Sequence, residues 1–127
     1  MTSPALLSVI ESAAHPNFTR AYKQLGINET KLNSMRKALA TLKNQPFDFI
    51  VAEFFYGYGS NYAGVNISNL DVMLYSLQKY SPDTRVIVLV EKAEREYVDK
   101  LNEIFPIHAV LQYPASDSDI KQALVIK

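Results

Sequence analysis

Pro46-Phe47-Asp48-Phe49-Ile50-Val51-Ala52-Glu53-Phe54-Phe55 is the stretch on which the fold turns. A short aromatic and β-branched run behind a proline reads as an inner strand of a parallel sheet, where burial on both faces removes the polar alternation. Asp48 sits near its start and Glu53 at its carboxyl end. Open α/β sheets place their ligand crevices beyond the carboxyl ends of strands, so Glu53 is the first candidate site residue.

Working outward, Val86-Ile87-Val88-Leu89-Val90 is a second continuous apolar run with the same two-sided reading. Residues 5–10 and 107–113 supply two further strand candidates, the latter broken by Pro114. Helical spacing links Phe18, Ala21, Tyr22 and Leu25, with Gly26 as a stop. It links Leu32, Met35, Leu39 and Leu42 before Pro46, and Leu70, Met73, Leu74 and Leu77 before Ser81-Pro82-Asp83. Residues 91–105 read as a helix with Val98, Leu101, Ile104 and Phe105 inward and a charged outer side. Asp117 or Ser118 is the expected cap of a last helix carrying Ile120, Leu124 and Val125. Residues 27–32 are the weakest segment, either a polar edge strand or the start of the next helix. The order is five βα units, which requires a parallel sheet with helices on both faces, since each crossover is right-handed and needs a helix's length.

At 127 residues the chain is predicted to form one domain over 1–127 with a core that needs no staples. Hydrophobic residues make up 48% and charged residues 20%, an ordinary globular balance. Thirteen basic and thirteen acidic side chains cancel, which gives no reason to expect nucleic acid or an anionic membrane as partner. The absence of cysteine excludes disulfides, thiol catalysis and cysteine-held metals. There is no basic n-region and no apolar run near the ~20 residues that span a bilayer, so a cytoplasmic protein is expected. The sequon matches at Asn17, Asn28 and Asn66 then read as chance.

Five βα units in this length form the flavodoxin-like layout, with strand order 2-1-3-4-5. Several stretches further resemble a response-regulator receiver domain. Residues 46–53 are similar to that family's third strand, which ends in the phosphoacceptor aspartate. Ser81-Pro82-Asp83-Thr84-Arg85-Val86-Ile87-Val88-Leu89 is similar to the run into its fourth strand. Val110-Leu111-Gln112-Tyr113-Pro114, with Ser116 and Ile120, resembles its fifth strand, the Lys-Pro junction and the last helix. Gly26 and Ala38-Leu39 match a glycine before strand two and a pair in helix two. The resemblance covers nearly the whole chain, in order and spacing.

The chemistry departs from that family. The resemblance implies an acidic pair after strand one, where this chain has Glu11 beside Ser12 or Ile10. It implies an aspartate where Glu53 stands, and a Thr or Ser where Val90 stands. It implies a lysine at Tyr113, or at Gln112 with a one-residue slip. Phosphoryl transfer to a carboxylate depends on positioning and on cations that neutralise the phosphoryl oxygens. Here the lysine and part of the metal cluster are gone, and the extra methylene of glutamate moves the attacking oxygen by about one bond, a shift of ~1 Å that can cost about a hundredfold in rate. The expectation is a degenerate receiver without a cofactor, with Mg²⁺ held by Glu11 and Glu53 as the alternative. Glu53 is then either a fixed charge that mimics the phosphorylated state or a solvated relic.

Residues 56–68 form an extended loop between the third strand and third helix, rich in Gly, Tyr and Asn. Tyr56, Tyr58, Asn61 and Tyr62 are candidate contacts for a partner or a planar ligand, although the loop lacks the spacing of a phosphate-binding fingerprint. Its blander reading is an insertion over a defunct pocket. His15 and His108 have no ligand-spaced companion and read as a surface-loop histidine and a strand-start histidine. Tyr113 reads equally as a partner contact or a filler of the lysine's space. The expected function is a non-enzymatic signalling or interaction module that docks on another protein, with a homodimer as one form. The alternatives are a Mg²⁺-dependent, phosphorylatable regulator with an atypical acceptor, and a small-ligand binder using the Tyr/Gly loop.

Overall fold

The computed structural model describes residues 4–10, 17–56 and 68–124. Five parallel strands form one sheet in the order β2-β1-β3-β4-β5: β1 (Ala5–Val9), β2 (Asn28–Leu32), β3 (Phe49–Glu53), β4 (Arg85–Val90) and β5 (Ile107–Gln112). They alternate with α1 (Thr19–Gln24), α2 (Met35–Asn44), α3 (Asp71–Tyr80), α4 (Arg95–Val98) and α5 (Asp117–Ala123). This is the flavodoxin-like order expected from the alternation of the two patterns.

The continuous apolar run of β3 is split by its own pleat. Ile50 and Ala52 join the core beneath α2, α3 and the residues around α4, together with Leu7, Val9, Val86, Val88 and Val90. Phe49 and Val51 join the opposite core beneath α1 and α5, with Leu6, Ile87 and Leu89. All five β3 residues are buried, because neighbours on both sides and helices on both faces cover them.

The ambiguous segment at 27–32 is the edge strand β2, paired with β1 from Ala5↔Asn28 to Val9↔Leu32. Its polarity follows from that position, since an edge strand keeps much of its surface in water. Gly26 ends α1 with φ at 73°, a left-handed conformation that costs glycine nothing. The Oγ of Ser34 accepts from the backbone N of Lys37 at 3.2 Å and so fixes the start of α2.

Two expectations need correction. The helix expected over 91–105 is a short α-turn, Arg95–Val98, between two 3₁₀ segments, Lys92–Glu94 and Asp99–Glu103. Its buried residues Val98, Leu101, Ile104 and Phe105 share one side in either helix type, so the packing of the segment sets the tighter turns. The cap of α5 is Ser116, not Asp117 or Ser118. Its Oγ accepts from the N of Asp119, whose carboxylate accepts from the N of Ser116 in return.

Residues 54–70 intervene between β3 and α3, and the described ends of this loop are tied down. Tyr56 and Ser68 form an antiparallel bridge. The buried carboxylate of Asp71 accepts from the backbone N and the hydroxyl of Ser68, at the amino end of α3, where a negative charge is favourable. Among the described residues, no helix is long and apolar enough to cross a membrane.

Candidate functional site

Glu53 ends β3 opposite Leu89 of β4. By strand alternation its side chain follows Phe49 and Val51 toward the α1–α5 layer. It is only 3% exposed, so the solvated-relic reading is wrong for the side chain itself. A carboxylate taken out of water is costly unless it is hydrogen-bonded. One of its partners comes from the far edge of the sheet: the Tyr113 hydroxyl donates to Glu53 Oε2 at 3.3 Å. That distance exceeds the 2.7–2.8 Å typical of a good O–H···O bond, so the contact is a weak one.

Tyr113 directly follows β5, with its ring packed against the α1–α5 core and its N donating to the Val90 carbonyl at 2.9 Å. The Tyr113–Pro114 peptide is cis. Tyr113, not Gln112, is thus the residue that faces the strand-three carboxylate. Burial, followed by the negative charge of Glu53, the hydrogen bond to it and the charge of Glu91, pushes the phenol's ionisation well above the ordinary tyrosine range. The ring is therefore a neutral donor where the resemblance puts an ammonium.

Val90 is fully buried, but in the other layer, with Val86 and Val88 in the α2–α3 core. The structure does not bring its side chain beside Glu53; only its carbonyl takes part, through Tyr113. Glu11 and Ser12 lie outside the described residues, as do Tyr58, Asn61, Tyr62 and His15. Among the described residues no three His, Asp or Glu side chains converge as a metal site would require. Of the two proposed Mg²⁺ ligands only Glu53 is described, and its Oε2 already accepts a phenol proton. The described donors alone do not fit a divalent ion that wants several oxygens.

Tyr56 is the loop residue that can be followed. Its ring stacks on Tyr97 with centroids 3.8 Å apart and planes at 17°, and its N donates to Glu94 Oε1 at 3.2 Å. One face of the ring is thus taken by the segment around α4, while the residue remains 45% exposed. Asn69 secures the end of β3, donating to the Glu53 carbonyl at 2.9 Å and accepting from the N of Phe55 at 2.7 Å. Sequence reasoning missed Asn69, Glu94 and Tyr97. Glu94 and Tyr97 stand three positions apart, which was a signal that they share a side. Asn69 carried no signal beyond its place before a helix.

His108 lies exposed as the second residue of β5, near the strand start as expected, with its Nε2 bonded to the Ala123 carbonyl at 2.9 Å.

No protein-family model matches the chain, and no curated protein matches its sequence. Solved structures do. A response regulator from Burkholderia pseudomallei, with a phosphorylated aspartic acid, a calcium ion and citrate, is 20% identical over 97% of this chain and 67% of that one, with a TM-score of 0.68. A CheY-like receiver domain protein from Methanospirillum hungatei JF-1 is 14% identical, covering 95% and 90%, with a TM-score of 0.73. A chemotaxis response regulator of Vibrio cholerae is 16% identical, covering 97% of each chain, with a TM-score of 0.73. The fold is that of response-regulator receiver domains. At these identities the likeness establishes the receiver fold and carries no side-chain chemistry from one chain to the other.

Proposed function

We propose that this chain is a receiver-like, non-enzymatic signalling module that works by docking on another protein and is not phosphorylated by the usual receiver route. The observation that carries this reading is the Tyr113 phenol on Glu53. A neutral donor there holds a carboxylate in place. It cannot neutralise the charge of an incoming phosphoryl group as an ammonium would. Glutamate at the acceptor position and a core valine at position 90 support the same reading. The docking side is the one built from residues 91–103, β5 and α5. β5 is an edge strand whose Ala109, Val110 and Leu111 are only half-buried, and Tyr113 at its end links that side to Glu53. The occupant is a signalling protein or a second copy of the chain.

Intact-mass measurement after incubation with acetyl phosphate and Mg²⁺, paired with beryllofluoride titration, tests the reading. Unchanged mass and no saturable beryllofluoride binding are expected. Stoichiometric phosphorylation, or tight beryllofluoride binding, would instead make this a phosphorylatable receiver with an atypical acceptor.

A further inference from the structure

Three of the large hydrophobic side chains left exposed lie on α3: Val72 at 56%, Tyr75 at 57% and Tyr80 at 41%. An apolar cluster left in water on one helix marks an interaction surface more often than scattered residues do. Val72, Tyr75 and Lys79 are spaced i, i+3, i+7 and form one stripe along the outer side of the helix. They stand opposite the Met73–Leu74–Leu77 side that is buried in the core.

α2 packs next to α3 on the same face of the sheet. Its outer positions are basic: Arg36, Lys37 and Lys43 are all exposed. Arg36 and Lys43 lie seven positions, two turns, apart on one side of α2. No acidic residue lies in α2, and the one in α3, Asp71, is buried and bonded to Ser68. Among the described residues, no carboxylate pairs with these cations. The Nζ of Lys37 bonds to the neutral amide of Asn33, and that of Lys79 sits 5.2 Å from the centroid of the Tyr80 ring. The chain as a whole is neutral. Four of its thirteen cations thus lie on two adjacent helices that carry no exposed carboxylate of their own, with exposed aromatic and aliphatic surface on α3.

We propose that the α2–α3 face is a docking surface for an acidic protein segment that carries an apolar anchor. Carboxylates of the partner would meet Arg36, Lys43 and Lys79, and its anchor would cover Val72 and Tyr75. Charge complementarity steers such an encounter and sets its orientation, while the desolvated tyrosine supplies the binding energy. Exposed valine beside tyrosine argues for a protein occupant over a phosphate backbone, which the aliphatic surface would not recognise. The residues named here differ from those of 91–103, β5 and α5, although α3 and the 91–103 segment share one core.

Backbone amide shifts of the full chain, titrated with a synthetic peptide of alternating glutamate and leucine, provide the test. Saturable shifts confined to α2 and α3 are expected. Tyr75→Ser, and separately Lys43→Glu with Lys79→Glu, should each weaken binding about tenfold or more. These positions are exposed, and unchanged circular dichroism will show that the variants fold. An all-glutamate peptide should bind at least as weakly as the variants do. The proposal is overturned by shifts confined to the 91–113 region, by no shifts at millimolar peptide, or by variants that bind like the parent. It is equally overturned if phosphatidylserine vesicles, a single-stranded oligonucleotide or a second copy of the chain occupies the same face more tightly than the peptide.

Discussion

β3 and β5 belong to the same parallel sheet, one ending at Glu53 and the other leading into Tyr113, yet they are held in opposite ways. β3 lies at the centre, every residue buried, and its final residue is a carboxylate that the fold has enclosed. β5 lies at the edge, half-exposed along its length, and is followed by a tyrosine that turns back over the core. Rigidity and cost sit on the central strand; access and adaptability sit on the edge. The Tyr113 hydroxyl bond to Glu53 makes the pair a physical link between the buried carboxylate and the surface proposed to dock.

The largest expected effect separates the strands directly. Ile50→Ala should cost about 2–5 kcal/mol, because it opens a cavity between the sheet and the α2–α3 layer. Val110→Ala on β5 should cost about 1 kcal/mol, since this side chain is smaller and only partly buried at the sheet edge. Urea unfolding measures both. Equal losses would mean that the outer face of β5 is covered in solution, and the contrast between centre and edge would fail.

A smaller effect tests the link itself. Tyr113→Phe should destabilise by about 1 kcal/mol, below the usual range for a bond to a charged group, given its length and partial exposure. Glu53→Gln keeps an acceptor and removes the charge. In a double-mutant cycle the two changes should couple by about 0.5–1 kcal/mol. Additive losses would show that the two strand ends are neighbours without being linked.

The smallest effect is a pH dependence. Tyr113 and the buried Tyr22 both ionise above the ordinary value of 10.0. Burial dominates in each case. Glu29 adds to the rise for Tyr22, while contact with Ser8 opposes it. The unfolded chain releases these protons first as pH rises. The stability they support is therefore complete below pH 10.0 and declines as pH climbs above it. Denaturation across that window should show a shallower decline for Tyr113→Phe than for the parent. An unchanged slope would place the Tyr113 ring in solvent.

The fold was largely legible. Runs such as 49–53 and 86–90 carry no alternation, and that alone marks two-sided burial, so a parallel sheet with helices on both faces follows from local pattern. Of the candidate positions, Glu53 and Tyr113 come together, whereas the side chain of Val90 turns into the other layer. The failures have physical causes. A spacing of three, as in Val98, Leu101 and Ile104, suits both α and 3₁₀ turns, and only the packing of 91–103 selects between them. The polar segment at 27–32 had no pattern of its own because its role is set by lying at the edge, a property of the whole sheet.

Sequence by itself determined the alternation of elements, the inner strands and the residue types at each strand end, because hydrophobic periodicity and caps act between near neighbours in the chain. Tertiary structure alone decided that Glu53 is buried, that Tyr113 and not Gln112 reaches it, and that Val90 turns into the other layer. Those outcomes depend on the pleat of three separate strands and on contacts across residues far apart in sequence. No local pattern encodes the exposure of a side chain whose cover arrives from the opposite edge of the sheet.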